Sequence, residues 1–249
     1  MTQYFAPALK GRDALVLPGC LAELNRIIYG NTSIKSAFNV ALHNIAVQHA
    51  GRPLYEFLGG NNRKVLTTDM TVSLGPPDKM WAIAVPQALA EFNIEHCEEP
   101  ILRHRFMELS RVSAASPIPI MADESCGDEH DAERLIALRA CQQFNIKLGK
   151  SSGFHRAQKI ARLGEAAGFT LQVGGFLESR LGMTAAAHLA LTNAAIRHCD
   201  LDTPLLFTED PVVGGIQYRP GGVIEVPTAP GLGATIDEAW LRRAKQVVV

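Results

Sequence analysis

The sequence lacks the features of a membrane, secreted or nucleic-acid-binding protein. No apolar run approaches the roughly 20 residues that a membrane helix needs. The first residues do not follow the basic-then-apolar order of a signal peptide. Lysines and arginines number 24 against 25 aspartates and glutamates, so no excess of positive charge indicates nucleic acid or a membrane surface as a partner. We therefore expect neither partner.

The sequence also lacks any CxxC pair, although it has five cysteines. An odd and scattered set is typical of reduced thiols, so we expect a cytoplasmic protein. Hydrophobic residues make up 47% of the 249 residues, which is enough for a sizeable core. The cysteines are Cys20, Cys97, Cys126, Cys141 and Cys199.

Helical and strand patterns alternate along most of the chain. Residues 33–50 have apolar side chains at the i, i+3, i+4 spacing of a helix, and residues 67–74 alternate as a strand. This alternation predicts βαβ units and a parallel sheet. Further helices are predicted at 82–91, 104–115, 130–141, 154–167 and 182–193, and strands at 93–98, 118–123, 144–149, 169–174, 196–201 and 223–226.

Charged residues stand at the ends of three successive strands. They are Glu98, Asp123 and Lys147. In a parallel α/β barrel the carboxyl ends of the strands form one face, and that face carries the chemistry. Two carboxylates with a lysine at this face indicate a divalent cation with a base beside it.

The barrel that these elements predict is incomplete. Only six strands of parallel type can be counted, over residues 67–208. A closed barrel of this kind has eight strands and needs about 250 residues by itself. Between Gly75 and Trp81 there is too little chain for the missing strands.

Several stretches of the sequence resemble the enolase superfamily, specifically its muconate-lactonizing subgroup, and within it the dipeptide epimerases. The likeness covers nearly the whole chain and keeps the family's order. The stretches are IYGNTSIKSAFNVALHNIAVQHAGRPLYEFLGG (28–60), TDMTVSLG (68–75), NIEHCEEPI (93–101), IPIMADESC (118–126), FNIKLGKSSG (144–153), LQVGGFLESRLGMTAAAHLAL (171–191) and CDLDTPLLFTEDPVVGGI (199–216).

The resemblance implies a TIM-like (β/α) barrel, incomplete here, with the remnant of an α+β capping domain built from both chain ends. Residues 1–66 would be the remnant of the capping domain and residues 67–208 the partial barrel. Residues 209–249 would return to the capping domain.

The resemblance also implies a site and a reaction. Mg²⁺ would be held by carboxylates, two of which match Glu98 and Asp123, and Lys147 matches a catalytic lysine. Asp200 and Asp202 match the pair that receives the ammonium group of a small dipeptide substrate. The reaction would be epimerisation, in which the proton α to a carboxylate leaves and returns by way of an enediolate.

The sequence departs from the family at several points. The Lys-x-Lys motif that supplies the opposite base and the Asp-Ala-Asn motif that supplies a metal ligand are absent. Both should lie near residues 80–81. Ser151-Ser152-Gly153 replaces the usual residue-Gly-Gly.

Two interpretations of these departures stay open. The chain is an enzyme homologue with an amino-terminal truncation and an internal deletion, or its gene model is faulty. As an alternative function, the chain is a non-catalytic remnant without turnover. Unpaired strand edges and an exposed interior favour association, so we expect aggregation or a homo-oligomer.

Each candidate residue also has a purely structural interpretation. Glu98 and Glu99 could be solvated charges before a proline, and Asp123 a helix cap. Lys147 could reach to the barrel mouth, although near a metal and out of water its pKa should fall. Asp200 and Asp202 could serve a turn. Lys150 lies past the strand end and is expected on the surface. Glu178 could belong to the polar site or make a structural hydrogen bond.

A zinc site is the rival metal hypothesis. Its ligands would be His96, Cys97, His198 and Cys199. Adjacent residues in a strand point to opposite faces, and the spacing typical of zinc sites is absent. We therefore favour the magnesium hypothesis.

Overall fold

The structure is a computed structural model that describes residues 3–69 and 94–244. The predicted helix 82–91, most of the predicted strand 67–74 and the short stretch from Gly75 to Trp81 lie outside the described residues. No helix in the described parts of the chain is long and apolar enough to cross a membrane.

The strands form one parallel sheet and two small antiparallel ones. The parallel sheet has five strands in the order β2-β3-β4-β5-β6, and the small sheets have the orders β1-β9-β8 and β10-β7. The strands are β1 (Leu66–Thr67), β2 (Cys97–Glu98), β3 (Ile120–Ala122), β4 (Gln143–Lys147), β5 (Thr170–Gly174), β6 (Ile196–Asp200), β7 (Val212–Gly214), β8 (Gln217–Tyr218), β9 (Val223–Glu225) and β10 (Ala234–Ile236).

Helices follow the parallel strands, as the alternating pattern predicts. Four predicted helices are found with bounds shifted by up to four residues, whereas 104–115 divides into a 3₁₀ turn (Arg103–Glu108) and a helix. The α-helices are α1 (Phe5–Leu9), α2 (Leu17–Ile27), α3 (Thr32–His49), α4 (Leu54–Phe57), α5 (Leu109–Ala115), α6 (Glu129–Ala137), α7 (Phe154–Ala166), α8 (Arg180–Ala190) and α9 (Glu238–Arg243).

The main core lies between the parallel sheet and its helices. Every residue of β4 is buried, and Phe144 packs edge-on against Phe169 with ring centroids 5.0 Å apart. Strands covered on both faces can be apolar without alternation. A second apolar cluster lies among α1, α2 and α3 and includes Phe5 and Leu24.

The start of the barrel returns to β6, the last strand of the parallel sheet. Thr68 forms a parallel bridge with Cys199, and the Asp69 amide donates to the Cys199 carbonyl at 3.0 Å. At the other end, β2 pairs with β3, and within residues 3–69 and 94–244 no second strand pairs with it. The sheet is therefore an incomplete TIM-like barrel, as the strand count predicts.

The carboxyl-terminal segment packs on the amino-terminal helices. The Leu54 amide donates to the Gly231 carbonyl at 2.9 Å, and the Leu232 amide donates to Asn44 Oδ1 at 2.8 Å. His188 of α8 completes this junction. It accepts from the Tyr55 amide at 3.2 Å through Nδ1 and contacts the Leu232 carbonyl at 3.2 Å through Nε2.

Candidate active site

The carboxyl ends of β2, β3 and β4 bring Glu98, Asp123 and Lys147 together. Lys147 Nζ donates to Asp123 Oδ2 at 2.6 Å, and both side chains are buried. Asn145, two residues before Lys147 and on the same side of β4, donates through Nδ2 to Glu98 Oε1 at 2.7 Å. Three neighbouring strands thus carry the predicted charges into one hydrogen-bonded group.

Glu98 lies where a carboxylate is hard to keep ionised. Loss of water around the carboxylate, and then the charge of Asp123, raise the pKa of Glu98 to about 7, although the hydrogen bond from Asn145 opposes them. Glu98 keeps an exposed part at the sheet edge, so water still reaches the residue. Two crowded carboxylates of this kind favour a cation between them.

Glu99, which follows Glu98 in the sequence, has a different role. Its backbone is left-handed, with φ 39°, and Glu99 Oε2 accepts from the Asp123 amide at 2.7 Å and from the Ser125 amide at 3.3 Å. The Ser125 hydroxyl also donates to Glu99 Oε1. Glu99 therefore holds the turn after β3, while Glu98 faces the charged group. The cap of α6 is Asp128, whose side chain accepts from the His130 and Asp131 amides.

Lys150 is not a surface residue, contrary to the prediction from the sequence. Its ammonium donates to Asp123 Oδ1, to the Asp123 carbonyl, and to the Asn145 carbonyl at 2.9 Å. Only 8% of its side chain is exposed. The turn after β4 folds back over the sheet end, because the Ser151 amide donates to the Lys147 carbonyl.

The two lysines decide the protonation of Asp123. Burial by itself would raise the pKa of Asp123, but Lys150 and then Lys147 outweigh it and hold that pKa below its usual range. Burial would lower the pKa of Lys147, yet Asp123 and Glu98 raise it above the ordinary value. In the protein without a cation Lys147 is therefore an ammonium, and the fall in its pKa beside a bound metal ion stays a prediction.

Glu124 belongs to this charged group, which the sequence analysis did not predict. Burial and the neighbouring Asp123 raise its pKa. The signal available was its position directly after Asp123 in the same motif.

The second group of predicted residues lies at the end of β6. Asp200 closes this strand, and Asp202 is buried just beyond it. Asp69, which the sequence analysis missed, joins them. Loss of water contact, and then Asp200 and Asp202, raise the pKa of Asp69 to about 6. Its position in TDMTVSLG, on the strand that meets β6, was the available signal.

The two groups stand at the same level of the sheet. Lys147 is in register with Gly174, and Gly174 is in register with Asp200. Strands lie about 4.8 Å apart, so the backbones of Lys147 and Asp200 are separated by about 10 Å. The missing side chain of Gly174 makes room for the Asn145 amide, because a Cβ on Gly174 would lie 2.8 Å from Asn145 Oδ1.

An apolar cavity of about 670 Å³ opens beside the charged group. It lies between α3 and the loops after β4 and β5, and Phe176 and Gly149 line it. Phe176 also covers Lys147, whose Nζ is 5.5 Å from the ring centroid. Glu178 lines the cavity and accepts from the Phe176 amide at 3.2 Å, so it shapes this loop. Glu98, Asp123 and Lys147 do not line the cavity. The cavity is therefore a neighbour of the charged group rather than part of it.

The chain matches two family models that together span most of its length. Residues 1–59 match the mandelate racemase/muconate lactonizing enzyme N-terminal domain, and residues 60–240 match the enolase C-terminal domain-like family. The D-Ala-D/L-Ala epimerase of Cytophaga hutchinsonii is 42% identical, with 99% of this chain and 82% of that protein covered. The L-Ala-D/L-Glu epimerase of Bacillus subtilis is 32% identical, covering 96% of this chain and 80% of that protein.

Solved structures are similar over the same length. A dipeptide epimerase from Cytophaga hutchinsonii, complexed with Mg and the dipeptide D-Ala-L-Val, has a TM-score of 0.93 at 43% identity and covers 97% of this chain and 80% of that one. Muconate lactonizing enzyme from Pseudomonas putida has a TM-score of 0.90 at 29% identity, covering 97% and 82%.

The alignment with the Cytophaga hutchinsonii epimerase contains positions that this chain lacks. It extends over 301 residues, whereas this chain has only 249. At least 52 positions of the relative therefore have no counterpart here. A shortage of this size agrees with the missing barrel strands.

Proposed function

The chain belongs to the mandelate racemase/muconate lactonizing enzyme family of the enolase superfamily, and on that premise we propose that it is a dipeptide epimerase reduced to half of its proton-transfer machinery. Its site would take a small dipeptide and act on the proton α to the carboxylate. The observation that carries the proposal is the shared register of Lys147, Gly174 and Asp200. It places the backbones of Lys147 and Asp200 about 10 Å apart, and in our proposal Lys147 transfers the proton and Asp200 binds the ammonium group.

This separation suits a small dipeptide. Each residue of an extended chain spans about 3.3–3.6 Å, so a dipeptide is shorter than this separation. The side chains that project from the two strands cover the rest of the distance to its charged ends. The ammonium group would lie by Asp200, Asp202 and Asp69. Loss of water contact, and then the other two carboxylates, raise the pKa of Asp69 there. The carboxylate end would lie toward Asp123 and Lys147.

Mg²⁺ fits the residues at that carboxylate end. Glu98 and Asp123 offer hard oxygen donors, and the raised pKa of Glu98 reflects how closely the two acids are held. Mg²⁺ is commonly held by one or two carboxylates together with waters and substrate oxygens. When bound, the ion would stabilise the negative charge that develops on the substrate carboxylate.

Lys147 would move the proton. It is buried beneath Phe176, which keeps water from its ammonium, and Asp123 fixes its position. While Asp123 is charged and paired with it, Lys147 is a donor rather than a base. Neutralising the charge of Asp123 would lower the Lys147 pKa and allow the amine to accept a proton.

Inversion requires a proton-transfer group on each face of the substrate. The sequence contains no Lys-x-Lys motif to supply the second one. Lys147 would therefore remove and return a proton on its own face, and the configuration would be retained. The missing motifs favour a second candidate function, a remnant that binds but does not turn over.

Proton exchange distinguishes these possibilities. The 249-residue chain is incubated with Mg²⁺ and Ala-Ala or Ala-Glu in D₂O, and deuterium and configuration are both measured. We expect deuterium at the α carbon with retention, abolished in Lys147→Ala and unchanged in the surface control Lys159→Ala. A repaired chain that carries the segment of the Cytophaga hutchinsonii relative should invert the substrate.

Three outcomes decide against the half-site. Rapid inversion by the 249-residue chain would show that the missing motifs are dispensable. Absence of label from this chain, with inversion by the repaired one, would establish the non-catalytic remnant. Absence of label from both chains would contradict the dipeptide substrate.

A further inference from the structure

Three potential metal ligands meet where the first and last strands of the parallel sheet approach each other, away from the carboxyl-end site. His96 and Glu95 directly precede β2, and His198 lies on β6. His198 is two residues before Asp200, which places it about 7 Å nearer the amino end of the sheet. Because β2 and β6 are the outermost of the five strands, curling of the sheet brings these residues together.

The distances approach those of a metal site. His198 Nδ1 is 3.4 Å from Glu95 Oε2, and the His96 and His198 ring centroids are 5.3 Å apart. One ligand atom of each residue lies within 4.8 Å of the other two. A tetrahedral zinc ion with bonds of about 2.1 Å places neighbouring ligand atoms about 3.4 Å apart. Small side-chain rotations are therefore enough to close the site.

His96 is suited to donate a lone pair. Its Nδ1 is shielded from solvent and has no hydrogen-bond partner among the described residues. Neutral imidazole is the form that binds metals.

The ligand set is imidazole and carboxylate, without thiolate. Among residues 3–69 and 94–244, the only group of this kind is Glu95, His96 and His198, and it includes no cysteine. The thiols of Cys97 and Cys199, although near in the sequence, do not belong to this group. Two imidazoles and one carboxylate suit zinc and its neighbours better than magnesium.

We propose that Glu95, His96 and His198 bind one zinc-class divalent ion, which ties together β2 and β6, the first and last strands of the five-stranded sheet. The fourth position remains for water, and the 72% exposed Glu95 side chain gives the ion access from solvent. This site is independent of the proposed epimerase function. It corrects the zinc hypothesis from the sequence by keeping the two histidines and replacing the two thiols with Glu95.

Cobalt(II) provides a direct probe, because tetrahedral cobalt has strong visible absorption. The full chain is titrated with Co²⁺, followed by displacement with Zn²⁺. We expect one equivalent and a tetrahedral-type spectrum, with affinity reduced at least tenfold in His96→Gln and in His198→Gln. The matched control is His104→Gln, at an exposed position, which should bind as the parent does.

A second pair of measurements separates this site from the carboxyl-end site and from misfolding. Asp123→Asn should keep the cobalt spectrum. Zn²⁺ should raise the melting temperature of the parent and leave that of His198→Gln unchanged, while circular dichroism shows that this variant is folded. Parent-like affinity in both histidine variants, or absence of a stoichiometric spectrum in the folded parent, would overturn the proposal.

Discussion

The two halves of the parallel sheet differ in how they hold their functional residues. Strands β4, β5 and β6 have five residues each, and β4 pairs with β5 through all five. Strands β2 and β3 have two and three residues. We call these the long half and the short half. Lys147 and Asp200 stand on the long half, whereas Glu98 and Asp123 stand on the short half.

The difference shows what fixes each residue. Pairing of β4 with β5, in which Lys147 is in register with Gly174, sets the height and direction of Lys147. Glu98 lies on an edge strand, and its position depends on the side chain of Asn145 and on the turn that Glu99 holds. Edge strands expose their unpaired groups and need such support. Glu98 is therefore less firmly positioned than Lys147.

Truncation of the core of the long half should have the largest effect. Phe144→Ala removes a fully buried ring from the centre of β4 and should lower the free energy of unfolding by about 3–5 kcal/mol. Cys97→Ala removes only a sulfur atom from β2 in the short half and should cost about 1 kcal/mol or less. Urea unfolding monitored by circular dichroism measures both. Equal losses would contradict the comparison.

Acid should weaken the junction between the long half and the amino-terminal helices. Burial lowers the pKa of His188 to about 4, from an ordinary value of 6.5. The stability that neutral His188 contributes is complete above pH 6.5 and is lost as the pH falls toward 4. The loss should reach about 3 kcal/mol. Urea unfolding of the parent and of His188→Gln at pH 7.5 and 4.5 measures it, and the gap between them should narrow in acid.

The short half should respond to pH with the opposite sign. The pKa of Glu98 is raised to about 7, so its contribution to stability is complete below pH 4.5 and is lost as the pH rises through 7. In metal-free buffer, Glu98→Gln should be more stable than the parent at pH 8 and similar to it near pH 4.5. If Glu98→Gln were less stable than the parent at pH 8, ionised Glu98 would not be destabilised by burial and by Asp123.

Lys150 joins the two halves, since it reaches from the turn after β4 to Asp123 at the end of β3. Lys150→Met leaves Asp123 with Lys147 alone and should cost about 2 kcal/mol, less than breaking an isolated buried pair. Lys159→Met removes the partly exposed pair with Glu129 and should cost less than about 1 kcal/mol. Thermal unfolding compares the two variants, and equal shifts would place Lys150 with ordinary surface lysines.

The smallest effect concerns the turn that follows Lys150. Ser152 has a left-handed backbone, with φ 59°, a conformation that glycine adopts at lower cost. Ser152→Gly should stabilise the protein by about 0.5 kcal/mol, because it relieves the left-handed backbone but adds freedom to the unfolded chain. Ser151→Gly, at the buried neighbour, should destabilise it. If both variants were more stable than the parent, the stabilisation would come from a more flexible turn and not from relief of the Ser152 backbone.

Motifs and periodicity located the site better than they described its interior. Glu98, Asp123, Lys147, Asp200 and Asp202 all lie at the predicted sheet end, because the end of a strand is a local property of the sequence. Lys150 was assigned to the surface, since a lysine past a strand end usually meets water. Its burial depends on a turn that folds back onto Asp123, which no local pattern shows.

The sequence by itself determined the family, the order of the strands and helices, and the shortage of barrel strands, since each depends on motifs and spacing along the chain. The tertiary structure alone decided which distant residues meet. Asp69 joins Asp200 because the first strand returns to β6, and His96 meets His198 because the sheet curls until its two edges approach. Such contacts are set by strand order and curvature, which belong to the whole sheet rather than to any segment.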